Sequence, residues 1–158
     1  MKNMEYCVYQ EGILFDIGLA DIKSNGKNVI TKLSKILSET LQSEQFAGSV
    51  ETVFIEGHTD NVPINNGVFP SNWELSTKRA INTWLLMKTS SPALEKLKNR
   101  NEQRMFSCSG YAESRPIADN NTLAGRSKNR RIDIRFTMSP PSEEDISIVK
   151  FVHGKLKT

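Results

Sequence analysis

Two oppositely charged side chains, Asp60 and Arg79, stand at the ends of neighbouring predicted elements and could together hold a small charged ligand. Asp60 follows the apolar run at residues 53–55, which predicts a buried strand. The carboxyl end of such a strand is where open α/β sheets form ligand crevices. Arg79 lies in a helix predicted to begin after Ser71, because Ser71 and Glu74 have the spacing of a capping box.

The helix that carries Arg79 would present further polar groups to the same crevice. Asn72, Ser76 and Arg79 recur at four- and three-residue steps, so they share one helical face near the amino terminus, where free N–H groups and the dipole favour anions. The guanidinium suits a carboxylate, and Asp60 suits an ammonium. These residues predict a pocket for a zwitterion, and the alternative is a structural salt bridge between Asp60 and Arg79.

The elements that must position these side chains alternate between strand and helix. Strands are predicted at residues 7–16, around 53–55, at 104–113 and at 130–138, with Ile132, Ile134 and Phe136 facing inward in the last one. Amphipathic helices are predicted at 24–42, with Ser24 as N-cap, and from residue 72 onwards. This order predicts an α+β fold, a two-layer α/β sandwich with helices packed on one sheet.

Composition narrows the class of protein. A chain of 158 residues suffices for one compact core, and its net charge of +3 is too mild to argue for nucleic acid. No apolar run approaches the roughly 20 residues that span a bilayer, so membrane association would need a segment absent from this chain. Cys7 and Cys108 are predicted to be buried thiols, although a disulfide between them stays open.

The sequence offers little support for catalysis, a metal or a cofactor. His58 and His153 are the two histidines, and His58 is predicted to be a hydrogen-bonded structural residue rather than a metal ligand. No nucleophile elbow, P-loop or Cys–His pair is present. The basic cluster at residues 125–135 could contact phosphates, but it has no aromatic stacking platform, and a solvated edge with Arg–acid pairs is the simpler interpretation.

Several separated motifs carry a family resemblance. The segments IEGHTD, SNWELSTKRA, GYAESRPIADN and GRSKNRRIDIRF occur in the order typical of the domain shared by OmpA-type outer-membrane proteins and the flagellar stator protein MotB. The chain resembles this domain from about residue 12 to residue 138, and its long loop before SNWELS is more similar to the MotB branch. One departure is Ala112, where the family has the last glycine of G-Y-G.

The resemblance implies a fold and a ligand. The fold would have βαβαβ order with a mixed sheet, and the ligand would be peptidoglycan, bound without catalysis through the diaminopimelate residue of its stem peptide. Asp60 would hold the ammonium and Arg79 the carboxylate of that residue. Asn72 and Asp16 would line the site. Arg130, which we rank lower as a site residue, would lie at its edge. A peptidoglycan-active enzyme and a nucleic-acid-binding module are the alternatives.

The resemblance also implies a setting for the chain. The domain at residues 4–138 would anchor a membrane protein or a stator-like complex to the cell wall from the periplasmic side, and stator-type domains imply a homodimer. Residues 139–158 are predicted to form a C-terminal helical extension that covers the sheet edge or docks a partner. Which envelope system the domain serves stays open.

Overall fold

The computed structural model describes residues 4–141 together with Ser147 and Lys155, and it describes side chains from residue 12 onwards. Between residues 4 and 141, the chain forms four strands and five helices, with one or two helices between successive strands. In sequence they are β1 (Met4–Gln10), α1 (Glu11–Leu14), α2 (Ser24–Gln42), β2 (Val50–His58), α3 (Asn72–Ser90), α4 (Ala93–Lys96), β3 (Phe106–Gly110), α5 (Leu123–Asn129) and β4 (Arg131–Met138).

The four strands form one mixed sheet in the order β1-β4-β2-β3. Strands β2 and β3 are parallel, whereas β4 is antiparallel to both of its neighbours, β1 and β2. The carboxyl ends of β2 and β3 therefore meet at the same edge of the sheet, beside the amino terminus of β4. The predicted mixed sheet is confirmed, and this edge is where the functional residues gather.

The helices pack on one face of the sheet and complete a two-layer core. Val53 and Ile55 of β2 face the same layer as Ile132 and Ile134 of β4, and all four are fully buried. They join one apolar cluster with residues of the helices, among them Ile30, Leu37 and Leu41 of α2 and Ala80 and Met87 of α3. Burying each large aliphatic side chain contributes about 1.5–3 kcal/mol. The predicted two-layer α+β sandwich is confirmed.

The prediction of the first strand is wrong in its second half. Strand β1 ends at Gln10, and the next residues turn into the short helix α1, which places Leu14 and Phe15 in the core. The helix α2 begins at Ser24 itself, so this residue is not the N-cap. Apolar residues 13–15 look like strand in sequence, yet a helical turn and the loop that follows it bury Leu14 and Phe15 and leave Ile13 exposed.

Two glycines allow α3 to lie unusually close to the sheet. A Cβ added to Gly57 of β2 would lie 2.0 Å from the backbone oxygen of Ser76, and one added to Gly110 of β3 would lie 2.2 Å from Oγ1 of Thr77. Any larger residue would force the helix away from the strands. Both glycines belong to the GHTD and G-Y motifs, so these motifs fix the position of α3 relative to the sheet edge.

Three remaining sequence predictions concern the thiols, the membrane and the C terminus. Cys108 is a free thiol, and burial raises its pKa to about 11. Among the described residues, no helix combines the length and apolar character needed to cross a bilayer. The helical extension predicted at residues 139–158 falls mainly outside the described residues.

Candidate functional site

A cavity of about 280 Å³ opens at the carboxyl end of β2, and we refer to it as the β2-end cavity. Its volume lies at the small end of the range for ligand pockets and fits one amino-acid head group better than a large molecule. Apolar side chains form much of its rim, and charged side chains from three elements point into it. The lining residues are Ile17, Gly18, Thr59, Asp60, Val62, Pro63, Ile64, Asn72, Leu75, Arg79, Arg126 and Arg130.

Asp60 supplies the negative charge of the β2-end cavity. It follows β2 by two residues, and its Oδ1 accepts a hydrogen bond from the backbone N–H of Val62 at 3.0 Å. Its Oδ2 accepts from Nη1 of Arg130 at 2.6 Å, which is the short distance expected of a charge-assisted bond. Arg130, ranked low in the sequence analysis, is therefore the direct partner of Asp60.

Arg79 reaches the cavity from α3 and is held rigidly at its wall. Its Nε donates to the backbone oxygen of Leu19 at 2.8 Å, and its Nη2 donates to that of Asp16 at 3.2 Å. The guanidinium also lies 4.9 Å from the ring centroid of Phe15. Only 1% of the residue is exposed. These contacts tie the loop after α1 to α3 and fix the direction of the guanidinium.

Asn72 lines the β2-end cavity and braces the loop after β2. Its Nδ2 donates to the backbone oxygen of Val62 at 3.1 Å and to Oε2 of Glu113 at 3.2 Å. The same atom lies 3.5 Å from the backbone oxygen of Asp60. Asn72 thus holds together two loops that frame the cavity. Its direct contact with a ligand stays a prediction.

Asp16 and Ser76 lie outside the cavity lining. The Asp16 carboxylate is largely exposed and pairs with Nζ of Lys23 at 2.8 Å, while its backbone oxygen supports Arg79. Ser76 is fully buried on the side of α3 that faces the sheet. Its hydroxyl donates to the backbone oxygen of Trp73 and accepts from the N–H of Ala112. Both residues therefore stabilise residues around the cavity, and we assign neither side chain a ligand contact.

Ala112 adopts the conformation that a glycine would favour. Its φ is +48°, in the left-handed region, and the residue is buried. Its backbone oxygen accepts from the N–H of Thr59 at 2.8 Å, next to Asp60. The alanine that replaces the last family glycine thus keeps the turn, at a cost of about 1–2 kcal/mol for left-handed backbone.

The motif GRSKNRR positions two of the charged side chains that line the β2-end cavity. Asn129 is fully buried, and its amide bonds to the backbone of Ile117 and Ala118, which holds the loop after β3. The next residue, Arg130, reaches Asp60. Arg126 lies one helical turn earlier and also lines the cavity, with its Nη1 donating to the backbone oxygen of Asn120 at 2.8 Å.

Sequence reasoning missed Arg126, although its four-residue spacing from Arg130 in a helix was a usable signal. Among the described residues, the β2-end cavity is therefore lined by one carboxylate and three guanidinium groups. This surplus of positive charge favours a ligand with at least one carboxylate. The neighbouring ammonium of a zwitterion would be received by Asp60.

A second charged cluster lies on the face of the sheet that points away from the helices. Cross-strand neighbours of β2 and β4 form it, and we name it the outer-face ladder: Glu56, His58, Arg131, Asp133 and Arg135. Alternation with the inward-facing Ile132 and Ile134 predicts that the β4 members point outward to solvent, yet Arg131 and Asp133 are each only 5% exposed. The prediction that this edge of the sheet is simply solvated is wrong for these two residues.

Each acid of the outer-face ladder is matched by basic groups. Glu56 Oε1 accepts from Nη2 of Arg135 at 2.6 Å, and it also accepts from the hydroxyl of Tyr111 at 3.1 Å. Both carboxylate oxygens of Asp133 accept from Nε of Arg131 at 3.0 Å. Because Arg131 is buried in this pair, this member of the basic cluster at 125–135 is not open to a phosphate.

Glu56, His58 and Asp133 bring potential metal-ligating atoms within 4.8 Å of one another. Nε2 of His58 lies 3.2 Å from Oδ2 of Asp133, and its ring stacks on Tyr111 with centroids 5.3 Å apart. Burial alone would raise the pKa of Asp133, but the contacts with His58 and Arg131 outweigh it and lower that pKa. Since guanidinium groups already hold both carboxylates, the cluster fits a structural ion-pair network better than a metal site.

Comparisons with known proteins agree with this architecture. The Motility protein B of Bacillus subtilis is 36% identical over 132 residues, which cover 84% of this chain and 48% of that protein. The structure of the periplasmic domain of Helicobacter pylori MotB (residues 90–256) superimposes with a TM-score of 0.68 at 24% identity, covering 91% of this chain and 80% of that one.

A cell-wall anchor also shares the fold. The structure of the cell wall anchor of the T6SS from Pseudomonas aeruginosa superimposes with a TM-score of 0.67 at 24% identity, covering 86% of this chain and 82% of that chain. The present chain spans about half the length of the curated relative from Bacillus subtilis. The sequence pattern of the OmpA family matches residues 14–130, well over half of the chain. The chain therefore belongs to the OmpA family.

Proposed function

We propose that this domain binds peptidoglycan without catalysis, by receiving the free amino-acid centre of diaminopimelate in the β2-end cavity. The observation that carries the proposal is that Asp60 and Arg79 line one cavity from two different elements. Family membership and the likeness to a cell wall anchor support the same conclusion. The domain would serve at the periplasmic side of the envelope and attach a membrane protein or a stator-like complex to the wall.

The geometry supports a simple exchange of partners on binding. In the free protein, Arg130 neutralises Asp60 and keeps the carboxylate from being buried unpaired. The ammonium of the ligand replaces Arg130 at Asp60, and the released guanidinium turns to the ligand's carboxylate. Arg79, already held by two backbone oxygens, contributes a fixed positive charge to the same carboxylate. Little side-chain entropy is then lost at Arg79 on binding.

The expected affinity is modest. Each charge-assisted hydrogen bond contributes about 1.5–3 kcal/mol, and desolvation and immobilisation offset part of two or three such bonds. The amino terminus of α3 lies at Asn72, which lines the cavity, so its free N–H groups add a favourable field for an anion. Many stem peptides on one wall would compensate for weak single contacts, most effectively if the domain is a homodimer.

Co-sedimentation with purified cell walls tests this proposal. We expect the protein to pellet with walls that contain diaminopimelate, to leave their glycan and peptide bonds intact, and not to bind DNA at physiological salt. Asp60→Asn and Arg79→Gln should each weaken pelleting at least tenfold, which corresponds to the loss of about 1.4 kcal/mol or more. Circular dichroism should show an unchanged fold for Asp60→Asn.

Matched substitutions at exposed residues provide the controls. Asp21→Asn removes a carboxylate, and Arg100→Gln removes a guanidinium, at two exposed positions that do not line the cavity. Both control variants should pellet like the unaltered protein. If Asp60→Asn and Arg79→Gln both pelleted normally, the cavity would not be the binding site. If the protein cleaved the wall, its function would be enzymatic rather than binding alone.

A further inference from the structure

An open groove lies along α3, beside the β2-end cavity. Its walls come from the loop before α3 and from the first three turns of that helix, and we refer to it as the Trp73 groove. Val68 is 73% exposed, Trp73 is 51% exposed and Ile81 is 36% exposed. The remaining lining residues are Phe69, Glu74, Thr77 and Lys78. A cluster of large exposed apolar side chains indicates a surface that contacts something else.

The exposure of Trp73 is a product of local geometry. Helical spacing predicts that Trp73 shares the core face of α3 with Ala80, but the core is filled by residues such as Ala80 and Met87, and Trp84 stacks on Phe106 with centroids 4.6 Å apart. Trp73 lies in the first turn, beyond the edge of the sheet. Its indole lies outside the main apolar cluster and lines the groove beside Val68 and Phe69.

The helix cap holds Trp73 in place before any ligand arrives. The backbone N–H of Trp73 donates to the hydroxyl of Ser71 at 3.2 Å, and that hydroxyl donates to the carboxylate of Glu74. The hydrogen bond from Ser71 lowers the pKa of Glu74, which keeps this carboxylate charged. An ordered aromatic residue binds with a smaller loss of entropy than a mobile one.

The chemistry of the Trp73 groove fits a sugar ring. The flat indole offers an apolar face to the C–H groups of a pyranose, and aromatic side chains provide large contact areas of this kind. Glu74, Thr77 and Lys78 stand along the groove with an acceptor, a hydroxyl and a donor for ring hydroxyl and acetamido groups. Pockets for small polar ligands combine an apolar floor with a few such polar groups.

The groove and the β2-end cavity are close enough for one polymer to occupy both. Asn72 lines the cavity and the next residue, Trp73, lines the groove, so the two openings lie on either side of one helical turn. A helix with its side chains is about 10 Å wide. In peptidoglycan, two amino acids separate the sugar from diaminopimelate, and each extended residue spans about 3.3–3.6 Å. Two such residues span about 7 Å, which is less than the full width of the helix but suits two openings that adjoin at neighbouring residues.

We propose that the Trp73 groove binds the amino-sugar strand of peptidoglycan while the β2-end cavity binds the stem peptide. This inference rests on the proposed function and extends it, because the ligand becomes a disaccharide-peptide unit rather than a peptide alone. The sugar contact would also orient the domain along the glycan strand. A second copy of this chain is the competing occupant of the groove, and the experiment below separates the two.

Calorimetric titration with two soluble probes tests the inference. One probe is a stem tripeptide that ends in diaminopimelate, and the other is the same tripeptide attached to N-acetylglucosaminyl-N-acetylmuramic acid. We expect the unaltered protein to bind the second probe about tenfold more tightly than the first, in line with the free energy of one aromatic contact. Trp73→Ala should bind both probes equally, with the affinity of the unaltered protein for the tripeptide.

Leu85→Ala is the matched control, since Leu85 is also an exposed apolar residue of α3 but does not line the groove. It should keep the tenfold preference. In fluorescence, the emission of the exposed indole should shift to shorter wavelength with the disaccharide probe and not with the tripeptide, while Trp84 stays in its core environment.

Several results would overturn the inference. Equal affinity of the unaltered protein for both probes would exclude the sugar contact and leave the peptide site intact, whereas failure to bind either probe would remove the proposed function as well. An equal loss of both affinities in Trp73→Ala would show that Trp73 only supports the cavity. A dimer that dissociates on Trp73→Ala in sedimentation, with an unchanged preference for the disaccharide, would assign the groove to a second copy.

Discussion

The β2-end cavity and the outer-face ladder are built from the same types of side chain, but they differ in the balance of charge. In the ladder, Glu56 of β2 is bound by Arg135 of the neighbouring strand, and Asp133 is bound by Arg131 of its own strand, so every acid is bound by a guanidinium. Among the described residues that line the cavity, the single acid Asp60 is accompanied by three arginines, from α3, from α5 and from the residue that follows α5. A balanced set of charges stabilises a sheet face, whereas an unbalanced set beside an apolar rim is suited to a charged ligand.

The two regions also differ in the elements that carry them. The ladder lies within β2 and β4, where the regular spacing along β4 and its register with β2 together fix each partner. The cavity lies where strands end and helices begin, so loops frame it and Arg130 can exchange partners. The ladder should therefore govern stability and the cavity should govern binding, and substitutions can separate these two roles.

The largest effect is expected at the ladder, from Asp133→Ala. This change leaves Arg131 buried without its carboxylate, and removing one partner of a buried ion pair typically costs about 3–5 kcal/mol. Urea denaturation of the unaltered and variant proteins measures the difference in the free energy of unfolding. Asp21→Ala, at an exposed position, should change it by less than about 0.5 kcal/mol. A cost below about 1 kcal/mol for Asp133→Ala would contradict a structural role for the ladder.

A smaller effect, confined to binding, is expected from Arg126→Gln. Arg126 is half-buried at the cavity, and its loss removes one of the three positive charges that face the ligand's carboxylate. Affinity for walls or for a stem peptide should fall about five- to tenfold, because a single partly solvated charge contact contributes about 1 kcal/mol. The thermal midpoint should stay within a few degrees of the original value. Unchanged binding would show that the surplus of charge in the cavity is incidental.

Sequence reasoning recovered the cavity better than the ladder, for physical reasons. Asp60 follows the end of β2, and Asn72 and Arg79 share one face of the amino-terminal half of α3, so spacing alone places them near the sheet edge. The ladder was missed because alternation along β4 assigns Arg131 and Asp133 to solvent. Their burial depends on the register with β2 and on the loop after β3, and both are properties of the tertiary structure.

The dependence on tertiary contacts also explains two further differences between the sequence predictions and the structure. The partner of Asp60 proved to be Arg130, which is 70 residues away in sequence and has no local pattern that points to Asp60. Trp73 was assigned to the core because helical periodicity does not reveal where the sheet beneath a helix ends. Short-range pattern thus predicts elements and their faces, while long-range contacts decide which charges meet and which apolar residues stay exposed.

If the β2-end cavity recognises both charges of one amino-acid centre, competition by soluble stem peptides will show it. Stem tripeptides that end in diaminopimelate or in lysine are added separately to protein that is bound to diaminopimelate-containing walls, and the released fraction is measured. The diaminopimelate tripeptide should release the protein at a concentration at least tenfold lower than the lysine tripeptide, because the lysine side chain carries an ammonium without a neighbouring carboxylate. Equal release by the two tripeptides would show that the cavity does not recognise the carboxylate of that centre.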